Sequence, residues 1–220
     1  MWESQKIEVL EAAQQMCQEG FVVGTSGNVS LRFKDPEGQE AVAITPSGCH
    51  YDTMKTNDIV IVDLEGQRLE GELTPSIETT LHTGIYKVRK NVNAVIHTHP
   101  VYGSILAVAG LEIPAILDDQ VTQIGGEIRV APYALSGSPE MAANVIASLG
   151  PRNAVLMANH GAIAVGRNMR EAFTMCKLAE KTARIYISAL TLGKVNLLPA
   201  EAAEVEKAYF NAVYGESQRD

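Results

Sequence analysis

Histidine spacing is the strongest chemical signal in the sequence, which contains five histidines. Two of them, His97 and His99, follow the apolar run Ala-Val-Ile. In an extended strand, residues i and i+2 point to the same side, so both imidazoles can face one ion. His160 stands at a predicted hairpin tip, again after an apolar strand. Three imidazoles with an open coordination position are typical of a catalytic divalent site, most often zinc. From spacing alone, three unconnected histidines remain the alternative.

An acidic residue, Glu78, ends the segment Thr-Pro-Ser-Ile-Glu at the start of a predicted helix. A carboxylate is electrostatically favoured at a helix N-terminus, which is the simplest interpretation of this residue. The chemical interpretation is a base beside the metal, or a fourth ligand that moves away when substrate binds. His82 follows one helical turn later, and we expect it to be a structural residue or to contact the Glu78 carboxylate without binding the metal.

Two loops are rich in small and hydroxylated residues, 24–28 (GTSGN) and 45–48 (TPSG). Such loops expose backbone N–H groups to anions. Ser76, at a helix N-terminus, is a third candidate for holding a phosphate. None of these segments matches a P-loop or a dinucleotide fingerprint. Taken singly, each loop is more often a plain turn.

The elements that must position these residues alternate between helical and strand patterns. The sequence predicts helices and strands over 3–20, 29–33, 41–45, 58–63, 77–88, 94–98, 101–109, 139 onward, 154–158, 162–165, 168–192 and 199–214. Several strands are joined by short turns, which favours antiparallel pairing. The predicted fold class is α/β: a single domain over residues 1–220, with a central, mainly antiparallel sheet flanked by helices.

Composition narrows the function further. The 220 residues include 18 Lys+Arg and 26 Asp+Glu, for a net charge of −8, which disfavours nucleic-acid binding. No apolar run is long enough to span a membrane, and the N-terminus does not resemble a secretory signal. The cysteines Cys17, Cys49 and Cys176 are far apart and do not form a disulfide or zinc pattern. We therefore predict a cytoplasmic protein with neither nucleic acid nor membrane as a partner.

Five segments occur in a characteristic order: 24–30 (GTSGNVS), 44–48 (ITPSG), 75–78 (PSIE), 97–99 (HTH) and 159–161 (NHG). Together they resemble the class II aldolase/adducin-like family, over about residues 5–215. The resemblance implies a helix-covered, mainly antiparallel sheet. It also implies a homotetramer with active sites between subunits.

The same resemblance assigns roles to individual residues. His97, His99 and His160 fall on the metal-ligand positions. Glu78 falls on the catalytic acid/base, which also ligates the metal in the resting enzyme. The phosphate-binding positions are Asn28, Ser47, Gly48 and Ser76. Tyr214 resembles a catalytic tyrosine on a mobile C-terminal tail that closes over substrate.

Two departures from the family's fuculose-phosphate enzymes concern substrate recognition. Ile77 replaces a second serine of the phosphate loop. A tyrosine expected after Ile-Pro-Ala-Ile, which reaches into a neighbouring site, is also absent, and the chain continues as Leu117-Asp118-Asp119-Gln120. We predict that Asp118, or alternatively Asp119, takes a related catalytic role, or that Gln120 orients substrate.

The predicted function is that of a zinc-dependent aldolase, with Mn²⁺ or Co²⁺ as alternative metals. It would cleave a ketose 1-phosphate of the 5-deoxyribulose, 5-methylthioribulose or L-fuculose type. The products would be dihydroxyacetone phosphate and a small aldehyde, formed through a metal-stabilised enediolate. Sugar-phosphate 4-epimerase, methylthioribulose-phosphate dehydratase and tetronate-phosphate decarboxylase activities are alternatives on the same fold. A non-catalytic adducin-like binding module is a remote alternative, since a scaffold does not need the three histidines and Glu78.

Overall fold

A computed structural model describes residues 2–215 of the chain. These residues form one eight-stranded sheet with helices on both faces. The strands are β1 (Asn28–Lys34), β2 (Glu40–Ile44), β3 (Val60–Asp63), β4 (Arg68–Glu70), β5 (Ala94–Thr98), β6 (Val130–Ala131), β7 (Ala154–Met157) and β8 (Gly161–Gly166). The helices are α1 (Glu3–Gln18), α2 (Thr79–Val88), α3 (Val101–Ala109), α4 (Asp118–Ile124), α5 (Pro139–Leu149), α6 (Met169–Thr191) and α7 (Ala200–Tyr214), with a short 3₁₀ turn at Thr56–Asp58.

The sheet has the strand order β4-β3-β2-β1-β5-β8-β7-β6. Every neighbouring pair is antiparallel except β6 and β7, which run parallel. This arrangement confirms the predicted α/β domain with a mainly antiparallel sheet. The strands β1 and β5, adjacent at the centre, bring Asn28 opposite His97 in register.

Side-chain alternation along the strands builds a separate core on each face of the sheet. In β2, Ala41 and Ala43 join the core that also contains residues of α1, α3 and α6, whereas Val42 and Ile44 join the core that contains residues of α2 and α5. In β1, Val29 and Leu31 belong to the first core. The alternate residues Asn28, Ser30 and Arg32 lie on the opposite face, toward α2, on the side where the candidate chemistry lies.

Several local predictions are confirmed. The strand over 94–98 and the hairpin of β7 and β8 form as expected. The Ser138 hydroxyl caps α5 by accepting a hydrogen bond from the Met141 N–H, and the Asn168 side chain caps α6 through the Glu171 N–H. Both caps satisfy backbone donors that the first helical turn leaves unpaired.

The helix predicted over 77–88 would place Ile77, Leu81, Ile85 and Val88 on one apolar face, and this prediction is wrong at both ends. Helix α2 begins only at Thr79, and Ile77 precedes it with 62% of its surface exposed. Val88, the last helical residue, is 54% exposed. Leu81 and Ile85, one turn apart in the middle of the helix, are buried as predicted.

No helix among residues 2–215 is both long enough and apolar enough to cross a membrane.

Candidate active site

The end of β5 places two of the predicted histidines side by side. His97 is the fourth residue of this buried strand and is 1% exposed, and His99 follows the strand's last residue. The His97 Nδ1 atom lies 3.0 Å from the Ala162 carbonyl oxygen, on the neighbouring strand β8. A carbonyl only accepts, so this contact places the proton on Nδ1 and leaves the Nε2 lone pair free to bind a metal.

The turn between β7 and β8 brings in the third histidine. Asn159 adopts the left-handed conformation with φ of 56°, and the His160 N–H donates to the Met157 carbonyl across the turn. Gly161 is required here because a Cβ atom would lie 2.3 Å from the Thr98 carbonyl oxygen and 2.8 Å from the His99 ring. The turn can therefore approach the end of β5 closely only with glycine at this position.

The three imidazoles converge through their ring nitrogens. The His97 Nε2 atom lies 2.9 Å from His99 Nε2 and 3.3 Å from His160 Nε2. One ligand atom from each residue lies within 4.8 Å of the others. The three ring centroids are 4.7–5.0 Å apart. This convergence confirms that the three predicted ligands form one cluster.

The donor set fits a divalent metal ion. Burial, followed by the charges of His97 and His160, lowers the pKa of His99 to about 4. Burial likewise lowers the pKa of His160, again with a contribution from His97. Neutral imidazole is the form that binds metal, and unprotonated nitrogens that face one another are stabilised by a shared cation.

Glu78 faces this cluster from the N-terminal end of α2. Its carboxylate oxygens lie 3.4 Å from His97 Nε2 and 3.5 Å from His160 Nε2. Burial by itself raises the pKa of Glu78, but the charge of His97 and hydrogen bonds from Asn28 and Ser136 outweigh it, so that the pKa falls to about 2. Glu78 is therefore an ionised carboxylate, 3% exposed, beside three imidazoles.

Two hydrogen bonds hold the Glu78 carboxylate from opposite sides. The Asn28 Nδ2 group donates to Oε2 at 2.9 Å, and the Ser136 hydroxyl donates to Oε1 at 2.8 Å. Ser136, which lies 58 residues from Glu78 in the loop before α5, was not predicted as a site residue. The Ser-Gly-Ser-Pro sequence that contains Ser136 is typical of a helix N-terminus, and no local pattern links Ser136 to Glu78.

The predicted phosphate segments line the same cleft, which has a volume of about 290 Å³. Its walls include Ser47, Gly48 and Ser76 together with Asn28 and Ile77. Among residues 2–215, the backbone N–H groups of Gly48 and Ile77 make no hydrogen bond within the protein. Both are therefore available to an anion, and the Ile77 N–H lies just before helix α2.

The candidate residues after Ile113-Pro114-Ala115-Ile116 do not line this cleft. Asp118 begins α4 and is exposed, whereas Asp119 forms an ion pair with Lys181. The alternative in which Gln120 orients substrate was wrong. Its side chain is fully buried and makes hydrogen bonds to the backbone of Ile116, Pro114 and Gly126, which closes the turns around α4.

Tyr214 also lies outside the cleft of its own chain. It is the last residue of α7, where its ring stacks on Phe210 at 5.2 Å. The guanidinium carbon of Arg167 lies 4.9 Å from the centre of the ring, and the Asn91 side chain donates to the Tyr214 carbonyl. In this conformation, the tyrosine packs against the body of the protein.

Comparisons with known proteins agree with this geometry. Residues 7–187 match the family described as Class II Aldolase and Adducin N-terminal domain. The chain is 36% identical to a 5-deoxy-D-ribulose 1-phosphate aldolase of Bacillus thuringiensis serovar kurstaki, over 92% of this chain and 93% of the relative. It is 35% identical to a 5-methylthioribulose-1-phosphate/5-deoxyribulose-1-phosphate aldolase of Rhodospirillum rubrum, over 89% and 86%.

A solved structure is similar as well. An L-fuculose 1-phosphate aldolase superposes with a TM-score of 0.88 and 35% sequence identity, covering 94% of this chain and 96% of that one. The family match spans most of the chain and includes the three histidines and Glu78. The chain therefore belongs to the class II aldolase and adducin family, as a class II aldolase.

Proposed function

We propose that this class II aldolase cleaves a ketose 1-phosphate to dihydroxyacetone phosphate and a small aldehyde, with zinc as its metal. One observation carries the proposal: the carboxylate of Glu78 lies 3.4 Å from His97 Nε2 and 3.5 Å from His160 Nε2, in a cleft that is also lined by residues that offer hydroxyl and N–H groups. A metal-binding group, an acid/base and an anion site therefore share one cleft.

The metal would be held by His97, His99 and His160, with Glu78 as an additional ligand before substrate binds. Nitrogen donors with one carboxylate suit zinc, and also manganese or cobalt less selectively. When bound, such an ion supplies Lewis-acid stabilisation of negative charge on the substrate oxygens.

The phosphate group would bind opposite the histidines. Ser47 and Ser76 offer hydroxyl groups, and Gly48 and Ile77 offer backbone N–H groups without protein partners. The Asn28 amide lines the same cleft and donates to Glu78. Because Ile77 contributes only its N–H, one hydroxyl contact found in the fuculose-phosphate enzymes is missing. Anchoring the phosphate fixes the position of the reacting carbons relative to Glu78.

Glu78 would transfer the proton on carbon. In the condensation direction, its carboxylate removes a proton from the hydroxymethyl carbon of dihydroxyacetone phosphate, and that carbon then attacks the aldehyde. In the cleavage direction, the C4 hydroxyl gives its proton to a base or to water as the C3–C4 bond breaks, and the electron pair of that bond stays on the dihydroxyacetone phosphate half. Glu78, in the protonated state that the condensation direction would leave, then delivers a proton to C3 and becomes a carboxylate again. No lysine Schiff base is required.

The aldehyde half is expected to be short and apolar. The segment 113–117 (IPAIL) is apolar, and the tyrosine that would bind a hydroxyl-rich aldehyde is absent. Two relatives are named for 5-deoxyribulose or 5-methylthioribulose 1-phosphate, which both end in an apolar group. We therefore rank these two ketoses above L-fuculose 1-phosphate as substrates of this chain.

We further propose a homotetramer with active sites between subunits, acting in the cytoplasm. Helix α3 and the second residue after it present exposed apolar side chains along one stripe: Val101, Ile105, Val108 and Leu111 are 45–65% exposed. Such a stripe is typical of a protein–protein interface. In this assembly, Asp118 and Tyr214 of one subunit would act at the cleft of another.

The test is a coupled assay for dihydroxyacetone phosphate. The substrates are the 1-phosphates of L-fuculose, ribulose, 5-deoxyribulose and 5-methylthioribulose, each with and without chelator. We expect a chelator-sensitive signal that is restored by zinc and greatest with the deoxy and methylthio sugars. Faster turnover of ribulose 1-phosphate would contradict the apolar aldehyde. Silence on all four sugars with metal bound would favour the epimerase, dehydratase or decarboxylase alternatives.

A further inference from the structure

A buried polar stripe connects strand β1 to helix α2 directly behind Glu78. Positions 78, 82 and 86 lie one turn apart on α2, and positions 28 and 30 share one face of β1. Asn28 donates to Glu78, whereas the Ser30 hydroxyl lies 2.6 Å from His82 Nδ1 and 2.7 Å from the Tyr86 hydroxyl. Ser30, His82 and Tyr86 are all 0% exposed. Apolar residues would be the usual occupants of such a position, so the stripe requires an explanation.

The hydrogen bonds of this polar stripe indicate which atoms of Tyr86, Ser30 and His82 carry the protons. Either hydroxyl can donate in the Ser30–Tyr86 pair; we assign Tyr86 as the donor, because within the part of the chain that the structure describes Ser30 is the side-chain acceptor of its O–H group. The Ser30 hydroxyl hydrogen then points to His82 Nδ1, which accepts it. With Nδ1 acting as the acceptor, the ring N–H group is on Nε2.

Among residues 2–215, this Nε2–H group has no hydrogen-bond partner, although its ring is completely buried. An unpaired buried donor destabilises the folded protein, and such groups are rare outside functional sites. His82 follows Glu78 by four residues, and its backbone N–H donates to the Glu78 carbonyl oxygen. Glu78 and His97 are the side chains that act on the ring electrostatically.

The resting contacts of Glu78 explain why its carboxylate does not satisfy His82. Both oxygens are already engaged, one by Asn28 and the other by Ser136. Under the proposed function, substrate takes over the place of Glu78 beside the histidines, and the carboxylate must then turn toward the reacting carbon. Its resting hydrogen bonds cannot all persist in the new position.

We propose that His82 is a positioning residue for Glu78, whose Nε2–H receives the carboxylate once it leaves its resting hydrogen bonds. Tyr86 and Ser30 fix the ring so that the donor points in one direction. One Glu78 oxygen is then held by His82, and the other is free to exchange the proton with substrate. This inference rests on the proposed function, because the motion of Glu78 is driven by substrate binding.

A matched pair of variants tests the role. In His82→Gln, the amide nitrogen takes a place close to imidazole Nε2 and can still donate to Glu78. In His82→Asn, the shorter side chain reaches Ser30 but not Glu78. Both replacements are uncharged and leave a polar group at a buried position, so their structural costs are similar. Melting temperature and zinc content are measured first for each variant.

We expect His82→Asn to lower kcat for cleavage about 10- to 100-fold with KM changed less than about twofold, as for an interaction made only after substrate binds. His82→Gln should retain kcat within about fivefold of the wild type. In a Glu78→Gln background, His82→Asn should have little further effect, because the two residues act as a unit. Equal kcat losses in the Asn and Gln variants, or a loss confined to KM, would overturn the proposal. Either result would be expected if the His82 side chain only fills space in the core or binds a buried water.

A second measurement is made on the wild-type protein and does not require turnover. The Nε2–H resonance of His82 is followed by NMR in ¹⁵N-labelled wild-type protein. Addition of zinc and dihydroxyacetone phosphate should move the proton downfield as it bonds to the carboxylate, and Glu78→Gln should reduce this shift. An unchanged resonance in protein that has bound both ligands would overturn the inference. A wild type inactive on all four ketose phosphates would instead contradict the proposed function.

Discussion

Two parts of the candidate site are held in very different ways. The metal side, defined as His97, His99, His160 and Glu78, stands on β5, the β7–β8 turn and the start of α2, within one chain. Two of its side chains are each hydrogen-bonded to a group that fixes their orientation, His97 to the Ala162 carbonyl and Glu78 to the Asn28 amide. Rigid elements of this kind hold reacting groups more accurately than loops do.

The aldehyde side, defined as residues 113–119 and Tyr214, is not assembled in the same chain. Asp118 is exposed at the start of α4, and Tyr214 packs against Phe210 and Arg167, outside the cleft. Under the proposed function, the groups for carbon–carbon bond chemistry would all belong to one chain. Recognition of the aldehyde would instead depend on groups that come from another copy or that move.

The largest expected effect is on the metal side. Replacing His97 with alanine removes the imidazole that contacts both other histidines and Glu78, so metal and activity should be lost together. Bound metal is measured by mass spectrometry and turnover by the coupled assay. His50→Ala is the matched control, because His50 is exposed and does not line the cleft. A His97→Ala protein that keeps stoichiometric metal would break the account of the metal side.

Replacing Glu78 with glutamine should separate metal binding from proton transfer. We expect kcat to fall about 10²- to 10⁴-fold, the usual contribution of a general acid/base. The three imidazoles should still retain zinc. Turnover and metal content are measured on the same sample. A decrease in kcat of less than tenfold would remove Glu78 from the proton-transfer step.

On the aldehyde side, Asp118→Asn should reduce kcat by about tenfold, less than Glu78→Gln, because water can partly replace an exposed carboxylate. Asp119→Asn is the control, since the Asp119 carboxylate is engaged by Lys181. An exposed ion pair of this type contributes about 0–1 kcal/mol to stability and should leave kcat nearly unchanged. Equal effects of the two variants on kcat would exclude a specific role for Asp118.

The smallest expected effect concerns the phosphate wall. Ser47→Ala removes one hydroxyl from the wall and should raise KM about three- to tenfold with kcat unchanged, the loss of one hydrogen bond worth roughly 0.5–1.5 kcal/mol. Ser26→Ala is the control, because its hydroxyl already donates to the Val23 carbonyl at 2.7 Å. A change in kcat alone would place Ser47 outside the phosphate site.

The same comparison explains what the sequence could predict. The i, i+2 spacing of His97 and His99 and the hairpin tip at His160 are local patterns, and local geometry converts them directly into converging side chains. The convergence of these histidines could therefore be predicted from local sequence patterns, and the only long-range contact it requires is the pairing of β5 with β8.

The remaining features depend on contacts between distant segments. Ser136 reaches Glu78 only because the loop before α5 folds over the cleft. Helix α4 was not predicted, because residues 118–124 show no apolar periodicity. Its buried residue Gln120 is held by hydrogen bonds to the Pro114 and Gly126 carbonyls, which no local pattern indicates. The edge strand β4 and the two-residue β6 are too short to produce a periodic signal.

The most direct test of the central claim is proton exchange on dihydroxyacetone phosphate alone, in D₂O, followed by NMR. This half-reaction needs the metal side and the phosphate wall but no aldehyde. We predict that the zinc-loaded wild type places one deuterium on the hydroxymethyl carbon. Both chelator and Glu78→Gln should abolish the exchange, and Asp118→Asn should leave it intact. The absence of exchange in the zinc-loaded wild type, or undiminished exchange in Glu78→Gln, would contradict the account.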